Sequence, residues 1–218
     1  MTAVDVGANR GLYARRLAKL CPRVIACEPQ PGLASRLVAA TPANVIVLPV
    51  ALSHTAGETS FRIPLVGSVP AHTRGTLDAG DGRAGEEVST ITVLRLRLDD
   101  LELERVGFMK IDVEGHELDV LHGAADTIER WRPRLLVECE VDTGAHPDHV
   151  AKHLAPLAYE GWFHFDGAIL PVAEFERDRH QAERKLVASP HLPARATNFL
   201  FLPSPDNAAI VSSLKRLA

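Results

Sequence analysis

Short apolar runs alternate with amphipathic stretches from the first residues onward. Ala3-Val4-Asp5-Val6 is an apolar run that closes on Gly7-Ala8-Asn9-Arg10-Gly11. Leu12 to Leu20 then reads as a helix with Leu12, Tyr13, Leu17 and Leu20 on one side, and Cys21-Pro22 stops it. Val24-Ile25-Ala26-Cys27 predicts a second buried strand, ending at Glu28-Pro29. Pro31 to Ala40 predicts a helix with Leu33, Leu37 and Val38 as its apolar face, and Asn44 to Leu48 a third strand. Continuous apolar strands that alternate with helices predict parallel strands covered on both faces.

The rhythm breaks after Thr59 to Ile63, which is strand-like. Pro64 to Thr90 is Gly-rich, with Arg, Asp and Glu interspersed. A connection this long without clear structure predicts a lid or binding loop. Ile91 to Leu98 is again strand-like, with a change of alternation near Val93-Leu94 that a bulge would explain. The βα rhythm returns at Phe108 to Val113. One amphipathic helix is expected over Glu117 to Trp131, with Leu118, Leu121, Ala125 and Ile128 inward. Arg134 to Val137 predicts a buried strand ending at Glu138-Cys139-Glu140, and His149 to Leu157 a helix. Trp162 to Phe165 and Phe199 to Leu202 predict late strands. A charged helix is expected over Glu174 to Lys185 and a tail helix over Ala208 to Leu217.

Composition narrows the class. The 218 residues are 46 % hydrophobic and 24 % charged, an ordinary globular balance that suits one domain spanning 1–218. A net charge of −4 gives no electrostatic reason to coat nucleic acid or an anionic membrane. No run of about 18 apolar residues exists, and the first residues lack the basic start of a signal peptide. Cys21, Cys27 and Cys139 form no CxxC pair and fit a reducing cytoplasm. The ten histidines show no metal spacing, so no metal site is assigned. Asp112 and Glu138, at the ends of neighbouring strands, are the one carboxylate pair that would suit Mg²⁺.

Two motifs carry candidate chemistry. In Asp5-Val6-Gly7-Ala8-Asn9-Arg10-Gly11 a strand turns through glycines into a helix, where backbone N–H groups are expected to be free for a ligand. A dinucleotide fingerprint would be GxGxxG; here Asn9 and Leu12 replace its second and third glycines. That crowds a pyrophosphate and favours a ligand without phosphates. Glu28 ends the second strand, where an acid accepts both hydroxyls of a ribose. A ribose site without a pyrophosphate site suggests S-adenosylmethionine. Asp5, Gly7, Asn9, Gly11 and Glu28 are thus the candidate cofactor residues. The second motif, Lys110-Ile111-Asp112-Val113-Glu114-Gly115-His116-Glu117, sets Asp112 and Glu114 just past the fourth parallel strand. Ligands bind outside the carboxyl ends of such strands where the strand order reverses, so Gly7 and Asp112 are expected to share one crevice.

These residues resemble the FkbM-type methyltransferases. The likeness rests on Val4 to Gly11, Glu28-Pro29, Leu98-Asp99-Asp100-Leu101 and Met109 to Glu117. Leu121-His122-Gly123-Ala124, Arg132 to Glu138 and Asn198-Phe199-Leu200-Phe201 add to it, so it runs from about residue 3 to 202. The resemblance implies a class I, Rossmann-like α/β fold: a mostly parallel sheet of seven strands, the last antiparallel, with helices on both faces. The expected strand order is 3-2-1-4-5, with Phe199 to Leu202 antiparallel near the edge. It also implies S-adenosylmethionine-dependent O-methylation of a small-molecule or glycan acceptor. Members carry a helix ahead of the first strand. Here that strand begins at residue 3, so either the chain is a minimal member or that helix is missing.

Methyl transfer to oxygen needs the acceptor held in line with the breaking C–S bond and a base within reach of its proton. Asp112, Glu114 and His116 are the candidate bases. The 64–90 segment, with Gly67, Gly75, Gly80, Gly82, Gly85, His72, Thr73, Arg74 and Thr76, is the candidate acceptor-facing lid. An NAD-linked oxidoreductase and a non-catalytic Rossmann-like binding module are the competing readings.

Overall fold

A computed structural model describes residues 1–66, 69–71, 75–77, 87–182, 195–204 and 207–216. The chain opens with β1 (Thr2–Val6), α1 (Leu12–Leu17), β2 (Arg23–Cys27), α2 (Pro31–Ala40) and β3 (Val45–Leu48). An all-β stretch follows: β4 (Val50–Leu52), β5 (Gly57–Val66), β6 (Val69–Pro70), β7 (Thr76–Leu77) and β8 (Val88–Leu96). Then come β9 (Val106–Ile111), α3 (Glu117–His122), α4 (Ala125–Trp131), β10 (Arg134–Glu138) and α5 (Pro147–Leu154). The chain ends with β11 (Tyr159–Phe165), β12 (Ala168–Pro171), α6 (Arg177–His180), β13 (Asn198–Pro203) and α7 (Asn207–Lys215).

The main sheet has eight strands in the order β12-β11-β13-β10-β9-β1-β2-β3. Its five βα strands are parallel and follow the 3-2-1-4-5 order read from the sequence. β13 runs antiparallel between β10 and β11. The sheet is therefore mixed and eight-stranded, which corrects the expected seven. The extra strand arises from a β11–β12 hairpin that pairs Phe165 with Ala168. Asp166 and Gly167 both have positive φ (48° and 74°) in its two-residue loop, the conformation that Asp-Gly favours.

Alternation on β1 explains why helices cover both faces. Ala3 packs with Leu17, Cys21 and Val24 on the α1 side. Val4 and Val6 join Val120, Leu121 and Ile128 on the other. The helix faces differ from expectation at their margins. Ala14 and Leu17 are the buried residues of α1, whereas Leu12 and Leu20 are exposed. Val38 is exposed, and Ala34 takes its place beside Leu33 and Leu37.

The helix expected over 117–131 is two helices that meet at Gly123-Ala124. A Cβ on Gly123 would collide with the Ser53 carbonyl oxygen, so the close approach of β4's end requires glycine. Asp99 caps α4 by accepting N–H bonds from Thr127 (2.9 Å) and Asp126 (3.2 Å).

The all-β stretch is a second sheet, β4-β8-β5-β6, with β7 also on β5. Its strands take in residues 64–66, 69–70, 76–77 and 88–90 of the loop expected over 64–90. β5 and β8 pair without interruption from Gly57–Arg95 to Pro64–Val88, so there is no bulge at Val93-Leu94. The change of alternation has another cause. Ile91 and Val93 pack with Phe61 and Ile63, whereas Leu96 packs against the main core. Gly67, His72, Thr73, Arg74, Gly80, Gly82 and Gly85 lie outside the described residues. The charged helix expected over 174–185 is described only as the four-residue α6, preceded by a short 3-10 turn at Val172–Glu174.

Candidate active site

A cleft of about 300 Å³ opens at the carboxyl ends of β1, β2, β9 and β10. Gly7, Asn9, Glu28, Asp112, Glu114, His116 and Glu138 line it. Val50, Ala51, Leu52, Phe61, Gly75 and Leu77, all from the β4–β8 region, form an apolar wall.

The glycine turn is locked to both neighbouring strands. The Asp112 amide donates to the Val6 carbonyl at 3.0 Å. Gly7 has φ +77°, and a Cβ there would collide with the Asp112 carbonyl oxygen. The turn and the second motif thus touch. Four of the amides expected to be free are engaged. Gly7 and Ala8 donate to the Cys27 carbonyl (both 3.0 Å), and Gly11 donates to Ala8 (2.7 Å). Asn9 donates its amide to Glu28 Oε2 at 2.8 Å. What the turn offers instead is a side chain. Asn9 holds a left-handed φ of 48°, and its Oδ1 is buried with no partner among the described residues.

Glu28 is almost fully buried. Its second oxygen accepts the Gln30 amide at 2.9 Å. Burial pushes its carboxyl above the ordinary range, opposed by the Gln30 and Asn9 amides. Two other expected cofactor residues are not in the cleft. Asp5 lies beneath α1, where the Ala14 amide donates to it and burial pushes it up to about 7 against the pull of Lys110. Gly11 is buried against α2, where a Cβ would strike Leu37.

The candidate bases separate by geometry. Asp112 and Glu114 both line the cleft, and Glu114 has a left-handed φ of 53°. His116 reaches the cleft wall, but its nitrogens face inward. Nε2 lies 2.9 Å from Ser53 Oγ, and Nδ1 lies 3.2 Å from Asp119 Oδ2. Asp119 Oδ1 is in turn 2.6 Å from His54 Nδ1. Burial lowers the affinity of His116 for a proton, with Asp119 opposing.

Three residues outside the candidate list organise the site. Lys110, 1 % exposed, sets its Nζ 3.4 Å from Asp112 Oδ2 and 3.9 Å from Glu138 Oε2. Glu117, also buried, accepts the Gly115 amide at 3.0 Å and clamps the loop that carries Glu114. Burial pushes Glu117 up to about 7. Glu138 lines the cleft beside Asp112. The signal for Glu138 was its place at a strand end next to that of Asp112. A fixed lysine ammonium stands with the carboxylate pair considered for Mg²⁺. Among the described residues no group of three or more His, Cys, Asp or Glu is arranged to hold a metal.

Comparison with known proteins bears on this site. Residues 5–160 match the model of the methyltransferase FkbM domain. The chain is 29 % identical over 158 residues to the hexuronic acid methyltransferase AglP of Haloferax volcanii. That alignment covers 69 % of this chain and 60 % of AglP. A crystal structure of the methyltransferase FkbM from Methylobacillus flagellatus KT superposes with a TM-score of 0.53 at 17 % identity. It covers 92 % of this chain and 43 % of that one, so the chain spans about half the length of the relatives it matches.

Proposed function

The chain belongs to the FkbM methyltransferase family, and from that premise we propose that it moves a methyl group from S-adenosylmethionine to a hydroxyl oxygen of a sugar or natural-product acceptor. The observation that carries this reading is one cleft lined by two chemically distinct sets of groups. Glu28 and the unpartnered Asn9 Oδ1 come from the end of β2 and the turn after β1, and Asp112 and Glu114 from the loop after β9. The cofactor, when bound, supplies an electrophilic methyl group on a sulfonium.

Glu28 binds the ribose hydroxyls through the lone pairs left over by its bonds from the Asn9 amide, the Gln30 amide and the Gln30 side chain. Asn9 Oδ1 accepts a hydrogen bond from the ligand, which ends its isolation. Gly7 keeps the turn close to Asp112, so cofactor and acceptor groups stay adjacent. Asp112 and Glu114 receive the acceptor hydroxyl and orient it. The Ala51, Leu52, Phe61 and Leu77 wall excludes water, which favours a transition state with more dispersed charge than its reactants. Gly75 and Leu77 belong to the 64–90 segment and line the cleft, which supports an acceptor-facing role for that segment.

A sugar acceptor draws support from the name of AglP, a hexuronic acid methyltransferase. The single-domain reading draws support from a main core that takes in residues from Val4 to Phe201, with three smaller clusters beside it. Three buried, unpaired cysteines support a reducing compartment such as the cytoplasm. No described helix is long and apolar enough to cross a membrane.

Calorimetry with S-adenosylmethionine and with NAD tests the cofactor assignment. Binding of the first and not the second is expected. Glu28→Ala should weaken that binding about tenfold or more, roughly 1.4 kcal/mol. Release of S-adenosylhomocysteine on addition of a hexuronate oligosaccharide tests the acceptor class. Binding of NAD alone would overturn the proposal.

A further inference from the structure

We propose that Glu138 is the general base that takes the acceptor's proton, with Asp112 beside it and the buried Lys110 ammonium holding the two carboxylates at the cleft floor. This rests on the methyl-transfer reading above. The pairing of β10 with β9 sets Val137 against Ile111, so the next residues, Glu138 and Asp112, leave neighbouring strand ends together. Lys110 Nζ approaches both, at 3.9 Å and 3.4 Å, and donates to the Ile111 carbonyl at 3.2 Å. The Tyr13 ring covers it at 5.2 Å. Both carboxylates line the cleft, and their side chains stay 28 % and 35 % exposed, so a proton taken from a ligand has a route to water.

The rival candidates fit less well. His116 holds Nε2 against Ser53 Oγ, and its Nδ1, 3.2 Å from Asp119 Oδ2, is buried away from the cleft without a hydrogen bond among the described residues. Asp5 and Glu117 lie outside the cleft lining. Burial, then the Asp112 carboxylate, pushes Glu138 up to about 8, against the Lys110 ammonium and a Thr197 hydroxyl bond. A base is most effective when its proton affinity sits near working pH. The groups that face this cluster come from the packed elements around it: Asp5 of β1, Tyr13 of α1, Lys110 of β9 and Asp112 just past it, Glu117 of α3, and Thr197 ahead of β13.

The step balances. The acceptor oxygen forms a bond to the methyl carbon as the C–S bond of the sulfonium donor breaks, its electron pair staying on sulfur. The acceptor's hydroxyl proton moves to the Glu138 carboxylate. Two ionised carboxylates and one ammonium carry a single net negative charge, which that proton cancels. Glu138 then releases the proton to solvent.

The first test needs no acceptor. Infrared spectra of the free protein should show a protonated-carboxyl C=O band that outlasts those of Asp5 and Glu117 and vanishes as pH rises through about 8. Glu138→Gln should lack the band. Asp112→Asn should move its midpoint to lower pH, because the neighbouring negative charge is gone. Should Glu138→Gln fail to fold, Asp112→Asn decides alone, and an unmoved midpoint overturns the proposal.

The second test uses turnover. Glu138→Gln should bind S-adenosylmethionine within about threefold of wild type. It should lose about 100-fold in methyl transfer to the hexuronate oligosaccharide, along with the rising pH limb. Glu138→Asp should recover part of the rate. Wild-type turnover and an unchanged limb in Glu138→Gln would overturn the base assignment and leave the methyltransferase reading intact. A wild-type protein that binds no S-adenosylmethionine would instead overturn that reading.

Discussion

Gly7 shows how one residue joins the two motifs. Its φ of +77° lies in the left-handed region, and its missing side chain admits the Asp112 carbonyl. Alanine there meets both penalties. A left-handed backbone costs an L-residue about 1–2 kcal/mol, and overpacking against a fixed backbone costs about 1–3 kcal/mol. Gly7→Ala should therefore lose about 2–5 kcal/mol in urea unfolding. A loss within about 0.5 kcal/mol, the usual surface-substitution range, would show that the turn relaxes freely. At this scale the sequence was a partial guide. The glycine turn, Glu28, Asp112 and Glu114 were legible because strand-end position alone brings them to the crevice. Asp5 and Gly11 were not, because their place depends on which side of the sheet α1 and α2 cover.

Between residues and fold, the elements answer to close approach as much as to periodicity. The apolar spacing from Leu118 to Ile128 fits one helix, yet the chain breaks at Gly123, where the end of β4 presses against it. Gly123 has an ordinary helical φ, so its need is for space alone. Gly123→Ala should cost about 1–3 kcal/mol through overpacking. It should also disturb the Ser53–His116 contact, which an imidazole shift in NMR would report. An unshifted His116 ring would show that the strand end absorbs the added methyl group. The β11–β12 hairpin was not expected, although Asp166-Gly167 between Phe165 and Ala168 is its signal in the sequence. Of the second sheet, only β5 and β8 were read, as the strand-like runs 59–63 and 91–98. Its strands β6 and β7 are two residues each and leave no periodic trace.

Across the whole molecule, four carboxyl groups in or beside the cleft, Glu28 among them, make stability depend on pH in one direction. Burial pushes Asp5 and Glu117 up to about 7 and Glu138 up to about 8. Each then binds a proton in the folded state where the unfolded chain has released it. Folded protein holds more protons between about pH 4 and pH 8, so the unfolding free energy falls as pH rises across that window. The stabilisation is complete below about pH 4, the unfolded values, and is lost as pH passes about 7 and then about 8. This opposes the common pattern, in which paired carboxylates destabilise a protein on acidification. Urea midpoints measured from pH 5 to 8.5 should fall continuously. Glu117→Gln, which keeps the side chain's shape and acceptor oxygen without its charge, should flatten the decline, and its midpoint should exceed wild type at pH 8. Ligand binding adds a second sign. A cationic donor in a cleft lined by Glu28, Asp112, Glu114 and Glu138 favours their ionised forms, so S-adenosylmethionine should steady the protein most at high pH. A midpoint that rises with pH in the free protein would mean that these carboxyl groups are ionised and paired throughout.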